Sequence, residues 1–201
     1  MYENRPRDVE FIEEGHLYLK GGVLIPSVSQ ILDFIFPNKY AGIPSHVLSN
    51  KANFGTEVHQ AIQDYEEKGE TPSSSNIDVR LAFEQYLRIK DSEVLTPLNH
   101  EELIVYEDKY AGRLDMIADV KLYRCLVDVK TTQKLDQESL AWQLGMYKLA
   151  WEHLNPKQPI EHCYCLWLPK KDLGQLVKVL PKTKQQIEKV LIEYGKAREN
   201  Q

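Results

Sequence analysis

Apolar residues recur three and four positions apart along four stretches of the 201-residue chain, which is the spacing that gives a helix one buried face. The pattern predicts amphipathic helices over residues 45–68, 77–90, 137–154 and 183–196. A shorter helix is predicted to begin at Pro26-Ser27 and to end at Pro37, because proline is tolerated at the start of a helix and not in its interior.

Short apolar runs without helical spacing lie between these helices. They predict five strands, over residues 103–107, 110–120, 123–131, 160–168 and 175–180. A weaker alternation on either side of Gly21-Gly22 predicts a small hairpin, and the serine-rich stretch 69–76 predicts a loop. Because the strands cluster between helices, we expect an α/β fold in which helices flank a mixed central β-sheet. We expect one domain over 1–201, with an N-terminal elaboration (1–43), a core (44–180) and a C-terminal helix (181–201).

The composition is that of a globular protein rather than a fibrous, disordered or membrane-spanning chain. Hydrophobic residues make up 42% and charged residues 27% of the sequence. No apolar run approaches the ~18 residues of a membrane helix, and the acidic N-terminus lacks the features of a secretory signal. Three cysteines do not make a disulfide framework. We therefore expect a protein of the reducing cytoplasm.

The charge is distributed unevenly along the chain. The net charge of -5 argues against a protein that coats nucleic acid by charge alone. Residues 1–154 carry a net charge of -9, and residues 155–201 a net charge of +4. A basic C-terminal region suits phosphates and an acidic body suits cations, although a solvated lysine-rich helix gives the same pattern.

The strongest chemical signal is a pair of neighbouring strands, GRLDMIADV at 112–120 and CLVDVKTT at 125–132. Side chains alternate faces along a strand, so Asp128 and Lys130 point to the same side. If the strands form an antiparallel hairpin that turns at Lys121-Leu122, Asp115 lies opposite Asp128 with Cβ atoms ~5 Å apart. Two carboxylates at that distance repel each other unless a cation lies between them, and a divalent cation held by oxygen ligands suits this arrangement.

Two alternatives stay open for this hairpin. Asp128 and Lys130 would form an ordinary exposed ion pair if the strand end were solvated. The register could also slip by two residues, because Lys-Leu lacks the residues typical of a tight hairpin turn. The flanking Leu126 and Val129 favour a functional role, since an idle charge among core residues is costly to desolvate.

Weaker signals lie on the two helices that flank the strands. His59 follows Gly55 by one turn in GTEVH, beside an apolar row, where a histidine is more often a core residue than a ligand. Gln143 and Tyr147 lie one turn apart in QLGMY and could hold a phosphate, although Tyr147 also fits a core position. Glu101 and Glu102 precede the first strand of the cluster. One of them could reach a metal, but adjacent carboxylates at a strand entry are usually solvent-exposed, so no role is assigned to them.

Taken together, GTEVH, GRLD, DVKTT and QLGMY, in this order, resemble the RecB-type branch of the PD-(D/E)XK nuclease superfamily. The earlier PSVSQIL, at 26–32, resembles a segment that precedes the nuclease core in phage and mitochondrial genome-maintenance exonucleases. The resemblance implies a restriction-endonuclease-like core for the fold. It also implies Mg²⁺ or Mn²⁺ as cofactor, with His59, Asp115, Asp128 and the Val129 carbonyl as ligands. It implies Lys130, Asp128 and Asp115 as catalytic residues, assisted by Gln143 and Tyr147.

The resemblance also implies an activity and a substrate. We expect a metal-dependent exonuclease that hydrolyses DNA from single- or double-stranded ends, in phage recombination, repair or replication, with a single-strand-annealing or other recombination protein as a partner. In a phage, its location would be the cytoplasm of the bacterial host. Lysines of the C-terminal region are expected to hold the DNA backbone, namely Lys170, Lys171, Lys182 and Lys184. A junction or flap endonuclease on the same fold and an inactive DNA-binding accessory protein are the alternatives.

Overall fold

The chain forms a five-stranded mixed sheet between helices, which confirms the predicted fold class. The structure is a computed structural model that describes residue 6 and residues 8–39 and 41–199. The strands, in their order across the sheet, are β4 (Leu95–Tyr106), β5 (Tyr110–Val120), β6 (Tyr123–Lys130), β7 (His162–Trp167) and β8 (Gln175–Val179). Neighbours run antiparallel except β6 and β7, which are parallel because α4 (Gln137–Leu154) crosses over between them.

Helices cover both faces of this sheet. One face packs against α4, together with α1 (Val28–Ile35) and α5 (Lys184–Glu199), and the other against α2 (Ser45–Lys68) and α3 (Ile77–Ser92). The predicted helices agree with these bounds to within three residues at each end. Ser27 caps α1 by accepting a hydrogen bond from the Gln30 backbone N–H, and Gly69 ends α2 in the left-handed conformation with φ 73°.

Two predictions near the edges of the fold gave fewer or shorter strands than the structure has. The predicted hairpin around Gly21-Gly22 is present as β2 (Leu17–Lys20) and β3 (Val23–Ile25), and β1 (Val9–Ile12) adds a third antiparallel strand beside β2. Strand β4 begins at Leu95, eight residues before the predicted start. Its first half is polar, contains Pro97 and has a β-bulge between Pro97 and Asn99, so neither apolar alternation nor strand propensity indicated it.

Strand β5 rotates in its middle, so that its side chains change from one face of the sheet to the other, and Asp115 lies where the change occurs. Leu114 packs into the core beneath α4, whereas Met116 packs into the core beneath α2 and α3. Residues two apart on a regular strand share a face, so the strand rotates around Asp115. Asp115 is therefore within reach of helices on both sides of the sheet.

Among the described residues, none of the helices combines the length and apolar character that a membrane span requires. The division into 1–43, 44–180 and 181–201 stays a prediction.

Candidate active site

The predicted hairpin register is present. Met116 lies opposite Val127 and Val120 opposite Tyr123, so the next residues in the same register are Asp115 and Asp128. Lys121 closes the turn with a positive φ of 57°, a conformation that a lysine adopts less readily than a glycine. Beyond Met116 the Oδ2 atom of Asp115 accepts a hydrogen bond from the Val129 N–H at 2.7 Å. The backbone pairing of β5 with β6 thus ends at Met116, and the hydrogen bond from the Val129 N–H holds the Asp115 carboxylate against β6.

Asp128 and Lys130 form a buried ion pair at the end of β6. Asp128 is 1% exposed, and the Nζ atom of Lys130 lies 2.7 Å from its Oδ2 atom. Beyond this ion pair, neither carboxylate oxygen has a hydrogen-bond partner among the residues that the structure describes. Leaving such groups without partners costs free energy, so the geometry favours a further ligand for Asp128.

The two charges shift each other's ionisation. Burial raises the pKa of Asp128 to about 6, although the Lys130 ammonium opposes that shift. Burial lowers the pKa of Lys130, but the Asp128 and Asp115 carboxylates outweigh it and hold that pKa above its usual range. Lys130 therefore carries a positive charge near neutral pH, which suits it to placing water and balancing charge rather than to removing a proton.

His59 reaches this site from α2. The carbonyl oxygen of Val129 can only accept a hydrogen bond, so the Nε2 atom of His59, 3.1 Å away, is the donor. The Nδ1 atom then faces the carboxylates, 3.7 Å from Oδ2 of Asp115 and 3.9 Å from Oε1 of Glu101. A histidine fixed through one ring nitrogen and facing acidic groups with the other is the usual arrangement of a metal-binding imidazole.

Burial lowers the pKa of His59, but the carboxylates of Asp115, Glu101 and Asp128 outweigh that effect and raise the pKa to about 9. Without a metal, the imidazole is therefore protonated at neutral pH. A metal that binds at Nδ1 would have to displace that proton.

Glu101 is the residue that the sequence left without a role. It lies on the bulged strand β4 in a left-handed conformation, with φ 50°. His59, Glu101 and Asp115 each offer a ligand atom, and these atoms all lie within 4.8 Å of one another. The register of β4 against β5 places Glu101 opposite Asp115, so extending the predicted hairpin backwards through the turn at 107–109 would have found it. This set of possible metal ligands differs in two ways from the one that the resemblance implies. It includes Glu101, and Asp128 lies next to it rather than within it.

The assisting residues on α4 also face this centre. Gln143 Nε2 donates a hydrogen bond to the Tyr147 hydroxyl at 3.2 Å. Burial, together with the charges of Asp115 and Asp128, raises the pKa of Tyr147, so the phenol stays protonated. A Cβ atom on Gly112 would lie 2.9 Å from the Tyr147 ring, so the glycine of GRLD leaves room for that ring. Tyr147 is thus both a core residue and a neighbour of the site.

Gly55 has a similar role on α2. A Cβ atom there would lie 3.3 Å from Oγ1 of Thr131, just past the end of β6. The glycine of GTEVH therefore lets α2 approach the strand end closely enough for His59 to reach Val129.

A cavity of about 860 Å³ adjoins the buried pair. Lys130 and Gln143 form part of its wall, and α1, the residues that follow it, residues 132–136 and the start of α4 form the rest. Its lining combines apolar side chains, hydroxyl groups and charges of both signs, among them Leu32, Asp33, Lys39, Ile43, Thr132, Lys134, Leu135, Asp136 and Ser139. Lys39 pairs with Asp136 at 3.0 Å. The volume falls within the range of sites for organic ligands.

A family model for the PD-(D/E)XK nuclease superfamily matches residues 36–199, which is most of the chain. The chain belongs to the PD-(D/E)XK nuclease superfamily. No curated protein matches the sequence. Among solved structures the chain is similar to that of SSO0001, at 14% identity over 83% of this chain and 82% of that chain, with a TM-score of 0.34. That likeness is too weak to carry an argument.

PD-(D/E)XK nucleases use divalent metal ions and act on DNA, and the residues present fit such an ion. Carboxylate oxygens are suitable ligands for Mg²⁺ and Mn²⁺, and an imidazole nitrogen suits Mn²⁺ better than Mg²⁺. The ligand atoms of His59, Glu101 and Asp115 are already close together, and beyond the Lys130 ion pair the oxygens of Asp128 have no hydrogen-bond partner among the described residues. The Val129 carbonyl accepts from His59 but has a second lone pair, so its predicted role as a ligand stays a prediction.

The lysines expected to hold DNA are mostly paired with carboxylates of this PD-(D/E)XK domain. Lys170 lies 2.8 Å from Asp78, and Lys182 lies 2.6 Å from Glu138. Lys184 lies 3.7 Å from Glu188. Surface ion pairs of this kind are weak, so they reduce the attraction of these lysines for phosphate without abolishing it.

Proposed function

We propose that this PD-(D/E)XK nuclease is a Mg²⁺- or Mn²⁺-dependent exonuclease that hydrolyses phosphodiester bonds from DNA ends. The observation that carries the proposal is the convergence of two groups at one point. His59, Glu101 and Asp115 form an acidic ligand cluster, and the Asp128–Lys130 pair lies beside it with free carboxylate lone pairs. Carboxylates gathered in this way suit a cation that in turn binds a phosphate.

The reaction replaces a phosphorus–oxygen ester bond with one to a water oxygen. When bound, a divalent cation polarises the phosphate and lowers the pKa of a bound water. Asp115 and Asp128 hold the ligand positions, and the ammonium of Lys130 orients the attacking water and offsets the charge that develops on phosphorus. The attacking water passes its proton to solvent, and the leaving oxygen takes one from solvent.

Gln143 and Tyr147 orient the substrate in this scheme. Because the Gln143 amide donates one hydrogen to Tyr147, its carbonyl and its second N–H remain available on the side of the cavity. A phosphate or base next to Lys130 would meet those groups. Fixing the amide through Tyr147 reduces the conformational freedom lost on binding.

The adjoining cavity supports a strand end as the substrate. It leads away from Lys130 and carries both apolar side chains and lysines, which suit a base and its phosphate respectively. The resemblance of 26–32 to the corresponding segment of phage exonucleases supports the same substrate. We place the activity within DNA recombination, repair or replication, in the cytoplasm and together with a recombination protein, as that resemblance implies.

Degradation of linear DNA and of covalently closed circular DNA, each with Mg²⁺, tests the proposal. We expect loss of the linear DNA alone, and no loss with Asp128→Asn. Cutting of the closed circle would instead support the structure-selective endonuclease. If the protein binds single- and double-stranded DNA but cuts neither with Mg²⁺ nor with Mn²⁺, the result would contradict an enzyme and support the accessory protein.

A further inference from the structure

An arginine beside the ligand cluster connects it with the N-terminal sheet. Arg113 lies on β5, two residues before Asp115, and its Nε atom is 2.6 Å from Oε2 of Glu101. This ion pair uses one oxygen of the Glu101 carboxylate. The other oxygen, Oε1, is the one that faces Nδ1 of His59 at 3.9 Å.

The N-terminal sheet covers the other side of the arginine. The Phe11 ring of β1 lies over the guanidinium, with its centroid 4.9 Å from Cζ of Arg113. Tyr18 of β2 supports Phe11 at a centroid distance of 5.0 Å and is itself buried. A guanidinium held between an aromatic face and a carboxylate keeps one orientation, because it is attracted to both.

Glu101 needs such support more than its neighbours do. Its positive φ is unfavourable for a side chain with a Cβ atom, and the Asp115 carboxylate nearby repels it. Asp115, in contrast, is fixed by the Val129 N–H. Without a partner, the flexible Glu101 side chain would turn towards solvent and leave the cluster.

We propose that Arg113 and Phe11 are positioning residues that hold Glu101 in the metal centre, so that the N-terminal sheet is a working part of the site. The inference rests on the proposed function in that it takes the cluster to bind a divalent cation. Arg113 acts by restricting Glu101 to the arrangement in which Oε1 faces His59 and Asp115. Phe11 acts one step further away, by restricting Arg113.

A second contact between the same two parts of the fold provides a matched control. Lys20 of β2 lies 2.6 Å from Asp108, in the turn between β4 and β5, and donates to the Glu107 carbonyl. This ion pair also joins the N-terminal sheet to the central sheet, but no contact connects it with Glu101. Lys20→Met therefore loosens the attachment without changing the carboxylate.

The experiment is calorimetric titration of the full chain with Mn²⁺, with thermal unfolding of each variant measured alongside. We expect Arg113→Met to weaken Mn²⁺ binding by about 10-fold or more, as outer partners of metal ligands commonly do. Phe11→Leu should give a smaller loss in the same direction, and Lys20→Met should leave Mn²⁺ affinity unchanged. In a Glu101→Gln background, Arg113→Met should have no further effect, because the two residues act through one contact.

Other results would overturn the inference. Unchanged Mn²⁺ affinity in Arg113→Met would show that Glu101 needs no support, and tighter binding would show that Arg113 only neutralises it. Equal losses in Arg113→Met and Lys20→Met would show a general structural effect. If the wild type cuts DNA with Mg²⁺ while any of these results holds, only this inference fails. If the wild type binds no Mn²⁺, the proposed function fails as well.

Discussion

The two halves of the candidate site are built in opposite ways. Asp128 and Lys130 are two residues apart on one strand, and Asp128 is almost completely buried. The side chains of His59, Glu101 and Asp115 come from three separate elements and are 28%, 23% and 15% exposed. The strand therefore fixes the first group by local geometry, whereas packing of α2, β4 and β5 assembles the second. Under the proposed function, Asp128 and Lys130 (the rigid half) mainly provide charge balance and catalysis, and His59, Glu101 and Asp115 (the assembled half) provide most of the cation binding.

The largest expected effect comes from the rigid half. Asp128→Asn removes the negative charge from the buried position and should lower the rate of DNA hydrolysis by about 10³-fold, since that charge serves both the cation and Lys130. The measurement is Mg²⁺-dependent degradation of linear DNA. Asp119→Asn on the same hairpin, which weakens a half-buried ion pair with Arg124 away from the site, should retain the wild-type rate. Similar losses in both variants would contradict a special role for Asp128.

Lys130→Met tests the charge of Lys130 separately from its packing, within the same half of the site. It keeps a side chain of similar length but removes the ammonium that stabilises the transition state, so the rate should fall by about 10²-fold with Mn²⁺ affinity largely retained. Single-turnover rates and Mn²⁺ titration measure the two quantities. Lys130→Arg keeps the charge and should recover part of the rate. A Met variant as fast as the wild type would remove Lys130 from the mechanism.

Substitutions in the assembled half should weaken metal binding more than they lower the rate of DNA hydrolysis at saturating metal. His59→Gln removes the imidazole ligand and should weaken Mn²⁺ binding by about 10-fold, with cutting restored in part at high metal concentration. His46→Gln, an exposed histidine on the same helix, is the control and should leave affinity unchanged. Equal affinity in wild type and His59→Gln would show that the histidine serves only the hydrogen bond to Val129.

The smallest effect concerns the stability of the metal-free protein. The pKa of His59 is about 9 in the folded protein, against 6.5 as its ordinary value. Because the folded value is higher, His59 stabilises the fold fully below pH 6.5, and this contribution is lost as the pH rises through 9. In the presence of a chelator, the difference in Tm between wild type and His59→Gln should shrink by roughly 5 °C between pH 6 and pH 9.5. A difference that does not change with pH would contradict the raised pKa.

The same contrast explains what the sequence could predict. The face shared by Asp128 and Lys130 and the register of Asp115 follow from strand alternation and a two-residue turn, even though Lys121 is an unusual turn residue. Periodicity likewise indicated the helices that carry His59 and Gln143. These features depend on neighbours in the chain, and local patterns report them directly.

Glu101 and its support were not predictable in the same way. The first half of β4 is polar, contains proline and is bulged, so it resembles a loop by composition. The contact between Phe11 and Arg113 joins positions about a hundred residues apart, and no pattern in the sequence specifies it. Two of the expected DNA-binding lysines, Lys170 and Lys182, pair with carboxylates from distant elements, which net charge could not show. Lys184 pairs with Glu188 one turn away on the same helix.

The most direct test of the account is the position of a bound Mn²⁺ ion, located by anomalous X-ray scattering from crystals of the Lys130→Met variant. The account predicts one principal peak in contact with Asp115 and with at least one of His59, Glu101 and Asp128, at ligand distances of about 2.0–2.6 Å. A peak confined to other carboxylates, or none at this point at saturating Mn²⁺, would contradict the claim that the two halves form one metal centre.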